Sequence, residues 1–323
     1  MTAEIKKVAV VGTGVIGNGW ITRFLAKGYD VIATDPAEGA EERMHKAVEQ
    51  SWPYVEELGL AEGASKERLT FTDNLEEAVK EADFIQENVP EVEDLKQKVL
   101  QDIDRHSKPD ALIGSSTSGI MPSELQAHFE NPERFVVAHP FHPVYILPLV
   151  EVVPGKSTTK ENTDRAKTFF EGLNMKALIV RNEIEGHIAD RLIEALWRES
   201  LHIVNEGIAT TEEVDQAFIY GAGMRYAQYG PFLTFHLAGG EGGMRHMLKQ
   251  FGPALKKPWT KLVAPELSDE LYDKVVSGCE HQSGDMSMSD LDKNRNEFLV
   301  RLMDLVQEYW PEDQSKKKET TEV

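Results

Sequence analysis

Hydrophobic positions in the first half of the chain fall into short runs, at 6–11, 30–34, 69–72, 83–86, 111–114, 135–138, 149–153 and 175–180. Runs of this length bounded by turn formers read as strands, and continuous rather than alternating hydrophobicity points to burial on both faces. Between the early runs the spacing changes to a helical period, notably over 40–58 and 92–103. Alternating strands and helices predict a parallel, doubly wound α/β sheet. The last two or three strands have no long crossover helix between them and are expected to be antiparallel additions. After Arg181 the strand signal stops. A long amphipathic helix is expected over 184–207, closed by Gly207, and another starts at 211 with Thr210 or Thr211 as its cap. Gly230-Pro231 breaks the chain before 232–237, and further helices are expected around 242–251, 268–278 and 289–309. The pattern divides the chain into a sheet domain over 1–183, an all-α C-terminal domain over 184–310 and a charged tail over 311–323. The tail lacks apolar periodicity and is expected to be flexible.

The first strand run leads into Gly12-Thr13-Gly14-Val15-Ile16-Gly17, which opens a helical pattern reaching Lys27. Gly12 suits the tight strand-to-helix turn, Gly14 lets the backbone approach a pyrophosphate, and Gly17 lets helix and strand pack closely. A pyrophosphate there would sit on the helix N-terminus at Val15, Ile16 and Gly17, where free amides and the helix dipole favour an anion. The second run ends at Asp35, eighteen residues after Gly17. A carboxylate at that place accepts hydrogen bonds from ribose hydroxyls and repels a 2′-phosphate, so the expected cofactor is NAD rather than NADP. The fold class is therefore an α/β Rossmann-type doubly wound sheet followed by an all-α domain, with a substrate expected in the cleft between them.

The segment Ala138-His139-Pro140-Phe141-His142-Pro143 places a histidine where one apolar run stops. Glu151 stands twelve residues later among Leu149, Val150, Val152 and Val153. Imidazole titrates near neutrality unaided, and a buried carboxylate on its other ring nitrogen fixes the tautomer and stabilises the imidazolium. Together with the glycine loop, the pair suggests proton transfer coupled to hydride transfer.

The 323 residues carry a net charge of −20, which argues against nucleic acid and anionic membranes as partners. No apolar run approaches the roughly 20 residues of a membrane span. The first strand begins within a few residues of Met1, so no secretory leader is expected. Cys279 is the sole cysteine, which excludes intramolecular disulfides and a cysteine-based zinc site, and the ten histidines show no metal-binding spacing. A cytoplasmic enzyme without a metal fits all of this.

The chain resembles the 3-hydroxyacyl-CoA dehydrogenase superfamily over nearly its whole length. The likeness rests on Gly12–Gly17 with Asp35, Asn88-Val89-Pro90-Glu91 with Lys96, Ser115-Ser116-Thr117-Ser118, and His139 with Glu151. The resemblance implies that His139 is the catalytic base, that Glu151 orients it, that Ser118 hydrogen-bonds the substrate oxygen, and that Glu91 and Lys96 lie beside NAD. Glu91 and Lys96 could equally belong to a solvated helix start. Acyl-CoA members usually read His-Phe-Phe-Asn-Pro where this chain has His139-Pro140-Phe141-His142-Pro143, and carry asparagine where it has Asp190. Both departures fall near the expected substrate oxygen. The helical half, with Gly221-Ala222-Gly223-Met224-Arg225-Tyr226-Ala227, the run 233–246 and Pro258-Trp259-Thr260-Lys261-Leu262, resembles the branch acting on L-gulonate and L-carnitine, and most of all its carnitine-oxidising members. That likeness makes L-carnitine the expected small-molecule substrate. L-gulonate, a 3-hydroxyacyl-CoA, and a non-catalytic NAD-binding structural role remain alternatives.

A trimethylammonium group has no N–H and cannot be held by hydrogen bonds, whereas aromatic faces attract it through their quadrupole. Phe141 with one or two of Tyr226, Tyr229 and Phe232 are the candidates. His142 could hydrogen-bond the hydroxyl or carboxylate of the substrate, or simply cap a turn between two prolines. Asp190 is a candidate substrate contact, and Arg225 or Arg198 a candidate partner for the carboxylate, where a guanidinium binds bidentately. A homodimer through the helical domain is also expected, because that half carries more apolar residues than a small bundle needs.

Overall fold

The structure is a computed structural model and describes residues 5–227, 230–261, 268–271, 273, 276–277 and 285–309. The chain divides into two compact units, Met1–Arg191 and Leu192–Val323.

In the first unit, β1 (Lys7–Val11), α1 (Val15–Ala26), β2 (Asp30–Thr34), α2 (Ala40–Glu57), β3 (Leu69–Thr72), α3 (Leu75–Val79), β4 (Phe84–Glu87), α4 (Glu93–His106), β5 (Leu112–Ser115), α5 (Pro122–Leu125) and β6 (Phe135–Pro140) follow one another. Then come β7 (Leu149–Pro154), α6 (Lys160–Gly172) and β8 (Lys176–Ile179). One eight-stranded sheet results, ordered β3-β2-β1-β4-β5-β6-β7-β8. Strands β1 to β6 are parallel, and β7 reverses against β6. The strand order reverses between β2 and β4 on either side of β1, so the loops after β1 and β4 diverge at the carboxyl edge and leave a crevice there.

Side-chain parity along each strand builds the two faces. Val8 and Val10 pack with Trp20, Phe24, Phe84 and Val136 on one side. Ala9 and Val11 pack with Ile85, Leu100, Ile103 and Val137 on the other. Continuous apolar runs are the consequence of a sheet covered on both faces.

Two expectations need correction. The last two strands do run opposite to β1–β6, but they are not joined without a crossover: β8 runs parallel to β7, and α6 makes the connection between them. That helix is mostly polar and buries only Thr163, Ala166, Phe169 and Phe170, which hid its period. Thr159, whose side chain caps the Asn162 amide, was the available signal. The long helix of the second half begins at Ala189 rather than 184, as α7 (Ala189–Asn205). Gly186 and His187 take φ of +68° and +47°, so the backbone turns left-handed before the helix can start.

In the second unit, the end of α7 is closed at Gly207 (φ +67°), with the Ile208 amide donating to the Ile203 carbonyl as in a Schellman cap. Thr210 caps α8 (Thr211–Ala217) in a reciprocal box with Glu213. A π-helical turn over Phe218–Gly223 follows, then helices Pro231–Ala238, Gly243–Phe251 and Met288–Tyr309. Cys279, residues 272, 274, 275 and 278 of the helix expected over 268–278, and the tail over 311–323 lie outside the described residues. Among the described residues, no helix is long and apolar enough to cross a membrane.

Candidate active site

Residues from five strand ends, those of β1 to β5, line a cleft of about 850 Å³ at the carboxyl edge of the sheet. Gly12, at the end of β1, has φ +90°, and a Cβ there would lie 2.9 Å from the Asn88 carbonyl carbon and oxygen. A Cβ on Gly17 would lie 1.9 Å from the Gly12 carbonyl oxygen, so helix α1 could not sit so close to its own loop. A Cβ on Gly14 meets nothing within 4 Å. The backbone at Gly14 faces open space where a ligand can approach it. Helix α1 starts at Val15 with no side-chain cap and no acidic residue in its first turn, leaving amides for an anion. Val15 is itself 68% exposed. Asp35 Oδ2 accepts from the Thr13 amide at 2.8 Å and the Thr13 hydroxyl at 3.1 Å, and Oδ1 accepts from the Ala37 amide at 2.9 Å. The carboxylate is thereby fixed against the loop, with lone-pair capacity left on Oδ1 for a ribose hydroxyl. The residues fit a dinucleotide.

Beneath this cleft lies a buried network that sequence reasoning missed in part. Glu87, fully buried at the end of β4, accepts from Lys96 Nζ at 2.9 Å, from the Val89 amide at 2.6 Å and from the Ser115 hydroxyl. Burial pushes its carboxyl up, and Lys96 and the hydrogen bonds oppose that rise. Lys96 is also buried; its ammonium bonds the Val89 carbonyl at 2.9 Å and lies 3.4 Å from Glu91 Oε2. Glu91 Oε1 accepts from the Thr117 hydroxyl and from the amides of Ser118 at 3.1 Å and Gly119 at 3.2 Å. Burial opposes its charge, but these donors and Lys96 hold it below the usual carboxylate range. Glu91 and Lys96 therefore clamp the loop after β4 to the loop after β5, which carries the exposed side chain of Ser118.

The antiparallel register sets His139 directly opposite Glu151. Both are buried, and His139 Nδ1 lies 3.1 Å from Glu151 Oε2. The other oxygen, Oε1, accepts from the amides of Ile188 at 2.9 Å and Ala189 at 3.0 Å, where α7 begins. Burial works against the charge on Glu151, yet the imidazole N–H and these two amides hold its carboxyl below the usual range. With Nδ1–H committed to Glu151, Nε2 carries the lone pair. Asp190 Oδ2 lies 3.5 Å from that nitrogen. The ring of Phe141 stands 5.2 Å from the imidazole at 71°. His187, another residue missed from the sequence, is buried with its ring 5.2 Å from that of His139, and its Nε2 lies 3.3 Å from the Thr117 carbonyl. Burial pushes its pKa down, favouring the neutral ring. Its positive φ gave no sequence signal, since such a backbone is usually marked by glycine.

The loop after β6 is secured by Arg23 of α1, which donates to the carbonyls of Val144 at 2.7 Å, Leu147 at 3.0 Å and Leu173 at 3.2 Å. Burial lowers its pKa to about 10. His142 is exposed on this loop. The remaining expected contacts belong to the second unit: Arg225 is exposed, Tyr226 is half-buried, and Phe232 is 81% exposed at the start of its helix. Arg198 pairs with Glu194 at 3.5 Å along α7, an ordinary i,i+4 ion pair. Tyr229 lies outside the described residues.

A glycine-rich cradle at a sheet switch point and a histidine–carboxylate pair on β6 and β7 of the same sheet together define a dinucleotide-dependent dehydrogenase. The family model for the NAD-binding domain of 3-hydroxyacyl-CoA dehydrogenase matches residues 7–184, and that for the C-terminal domain matches 186–278. The chain belongs to the 3-hydroxyacyl-CoA dehydrogenase family, and its cofactor is NAD. It is 70% identical over 314 residues to L-carnitine dehydrogenase of Staphylococcus epidermidis, covering 97% of this chain and 98% of that protein. It is 65% identical over 307 residues to L-carnitine dehydrogenase of Oceanobacillus iheyensis, covering 95% of this chain and all of that protein. Among solved structures, an NAD+-dependent dismutase, 5-formyl-3-hydroxy-2-methylpyridine 4-carboxylic acid 5-dehydrogenase, superposes with a TM-score of 0.81 at 28% identity, covering 94% of this chain and 99% of that one.

Proposed function

We propose that this chain is the NAD-dependent dehydrogenase that oxidises L-carnitine to 3-dehydrocarnitine, with His139 as the proton acceptor. The 70% identity to a protein named for that reaction, over nearly the full length of both chains, supports the substrate. The His139–Glu151 geometry is the observation that carries the chemistry. NAD, when bound along the glycine loop, supplies the acceptor for the hydride that leaves C3 of the substrate. The substrate hydroxyl donates to Nε2 of His139, and its proton passes to that nitrogen as the C3–O bond becomes a carbonyl. Glu151 holds the ring in the accepting tautomer and stabilises the imidazolium that forms. In reverse, the imidazolium polarises the ketone and returns the proton. Ser118, on the loop that Glu91 fixes, is the second hydrogen-bond partner for the substrate oxygen. Phe141, whose ring stands 5.2 Å from the imidazole, is the candidate aromatic contact for the trimethylammonium. Arg225, Tyr226, Phe232 and His142 are the remaining candidate contacts for the substrate.

We also propose that the working form is a homodimer joined through the second unit. Leu192, Ile193, Leu196 and Trp197 of α7 are 43–60% exposed, and an apolar cleft of about 630 Å³ lies among α7, α8 and the π-helical turn. An apolar surface of that kind on a soluble chain marks an interface.

His139→Ala tests the catalytic assignment. NADH formation from L-carnitine should fall by on the order of 10²–10⁴-fold, the usual contribution of a general base, while NAD binding measured by calorimetry stays as in wild type. Retained turnover would move the chemistry to another group.

A further inference from the structure

We propose that His187 is a positioning residue that holds the Ser118 loop in register with His139, so that the substrate oxygen meets both partners at once; the assignment rests on His139 and Ser118 being those partners. Three features distinguish His187. It takes φ of +47°, a left-handed backbone that residues with a side chain seldom adopt. Its side chain is fully buried, with the ring centre 5.2 Å from that of His139 and the planes at 55°. Its Nδ1 has no hydrogen-bond partner among the described residues. A strained backbone and a buried polar atom without a partner both lower stability. A phenyl ring would fill the same space without the second cost. What the imidazole supplies and a phenyl cannot is an N–H. Its Nε2 lies 3.3 Å from the Thr117 carbonyl oxygen, and a carbonyl only accepts, so the proton sits on Nε2 and the lone pair on Nδ1. Burial lowers the pKa of the ring and favours this neutral form with a single donor.

That N–H joins two segments that serve the proposed reaction separately. Thr117 directly precedes Ser118 on the loop after β5. Ile188 and Ala189, directly after His187, give their amides to Glu151 Oε1 at 2.9 and 3.0 Å, and Glu151 Oε2 holds His139 Nδ1 at 3.1 Å. One left-handed turn therefore carries both the backbone that fixes the His139–Glu151 pair and the side chain that fixes the β5 loop. Glu91 holds the same loop through the Thr117 hydroxyl and the amides of Ser118 and Gly119, but it ties that loop to the one after β4. Glu91 thus sets the loop against the cofactor cleft, and His187 sets it against the imidazole. Misplacing a group that acts on the substrate by on the order of 1 Å can cost about 10²-fold in rate. A tether between the two partners of one oxygen accordingly acts on turnover.

The test is a double-mutant cycle of His187→Phe and Ser118→Ala, read as kcat/KM for L-carnitine at saturating NAD. His187→Phe keeps a ring and removes the N–H. It should lose about 10–100-fold alone but less than about threefold when added to Ser118→Ala, because a loop with no hydroxyl to place has little left to lose. His187→Gln, whose amide reaches the place of Nε2, should recover most of the loss. Equal losses in both backgrounds would overturn the assignment, since a residue that only supports the fold acts independently of the Ser118 hydroxyl. Failure of His187→Gln to recover activity would overturn it, as would full activity in His187→Phe or in Ser118→Ala. Melting temperatures identify a misfolded variant. Should His187→Phe be one, His187→Asn, which tolerates the left-handed backbone but ends short of the Nε2 place, completes the cycle instead. His139→Ala, assayed in parallel, reports on the underlying reading. Retained turnover there removes the proton acceptor and this proposal with it, whereas lost turnover there with an additive cycle overturns the role of His187 alone.

Discussion

His139 gains its chemistry from what holds it. Glu151 accepts on both oxygens, from the imidazole on one and from the first amides of α7 on the other. That arrangement ties the orientation of the proposed proton acceptor to the start of a helix, so in the proposed reaction one carboxylate serves both catalysis and folding. Because Glu151 is held below its ordinary value of 4.5, its charge contributes to stability fully above that pH. The contribution is lost as pH falls through the lowered value of the folded protein. Glu151→Gln should therefore be less stable than wild type at neutral pH, by about 1.5–3 kcal/mol in urea unfolding, the scale of hydrogen bonds to a buried charge. The difference should shrink below pH 4.5. A constant difference down to strong acid would show that the carboxylate is not held as described. The pair itself was legible, because a histidine at a strand end and a carboxylate within the next apolar run have few other reasons to stand there. The amides on Glu151 were not legible. They depend on left-handed turns at Gly186 and His187, and only the glycine announces such a turn.

The glycine loop shows how three similar residues do different work within one element. A Cβ at position 17 would strike the Gly12 carbonyl, whereas a Cβ at position 14 would meet no protein atom. Gly17→Ala should lower stability by about 1–3 kcal/mol, the usual cost of overpacking, whether or not NAD is present. Gly14→Ala should melt like wild type without NAD but bind NAD at least about tenfold more weakly, as calorimetry would register. Comparable stability losses in both variants would contradict this division. These roles could be read from spacing alone, since each glycine meets a fixed partner in a strand–turn–helix unit. Helix α6 and the parallel pairing of β8 with β7 could not. Its apolar positions are few, its remaining surface is charged, and without the helix the parallel crossover has no visible cause. The Glu87–Lys96 pair escaped for a related reason: two charges read as surface until packing shows them buried.

At the scale of the molecule, the two units divide the labour: the first holds the cofactor cradle and the proposed proton acceptor, and the second exposes apolar helix faces. The proposed homodimer would cover such faces, and sedimentation equilibrium should give twice the chain mass of 36.3 kDa at working concentrations. An active species at the single-chain mass would rule the dimer out. The acidic balance of the chain, −20 overall, also bears on the substrate, because an anionic nucleotide thioester gains nothing from it. The most direct measurement is the rate of NADH formation by the wild-type protein with L-carnitine, L-gulonate and 3-hydroxybutyryl-CoA, assayed side by side at saturating NAD. The expected result is turnover of L-carnitine with kcat/KM at least about thirtyfold above either competitor, the value of a desolvated cation–π contact of about 2 kcal/mol. Equal or greater efficiency with L-gulonate or the thioester would contradict the proposed substrate.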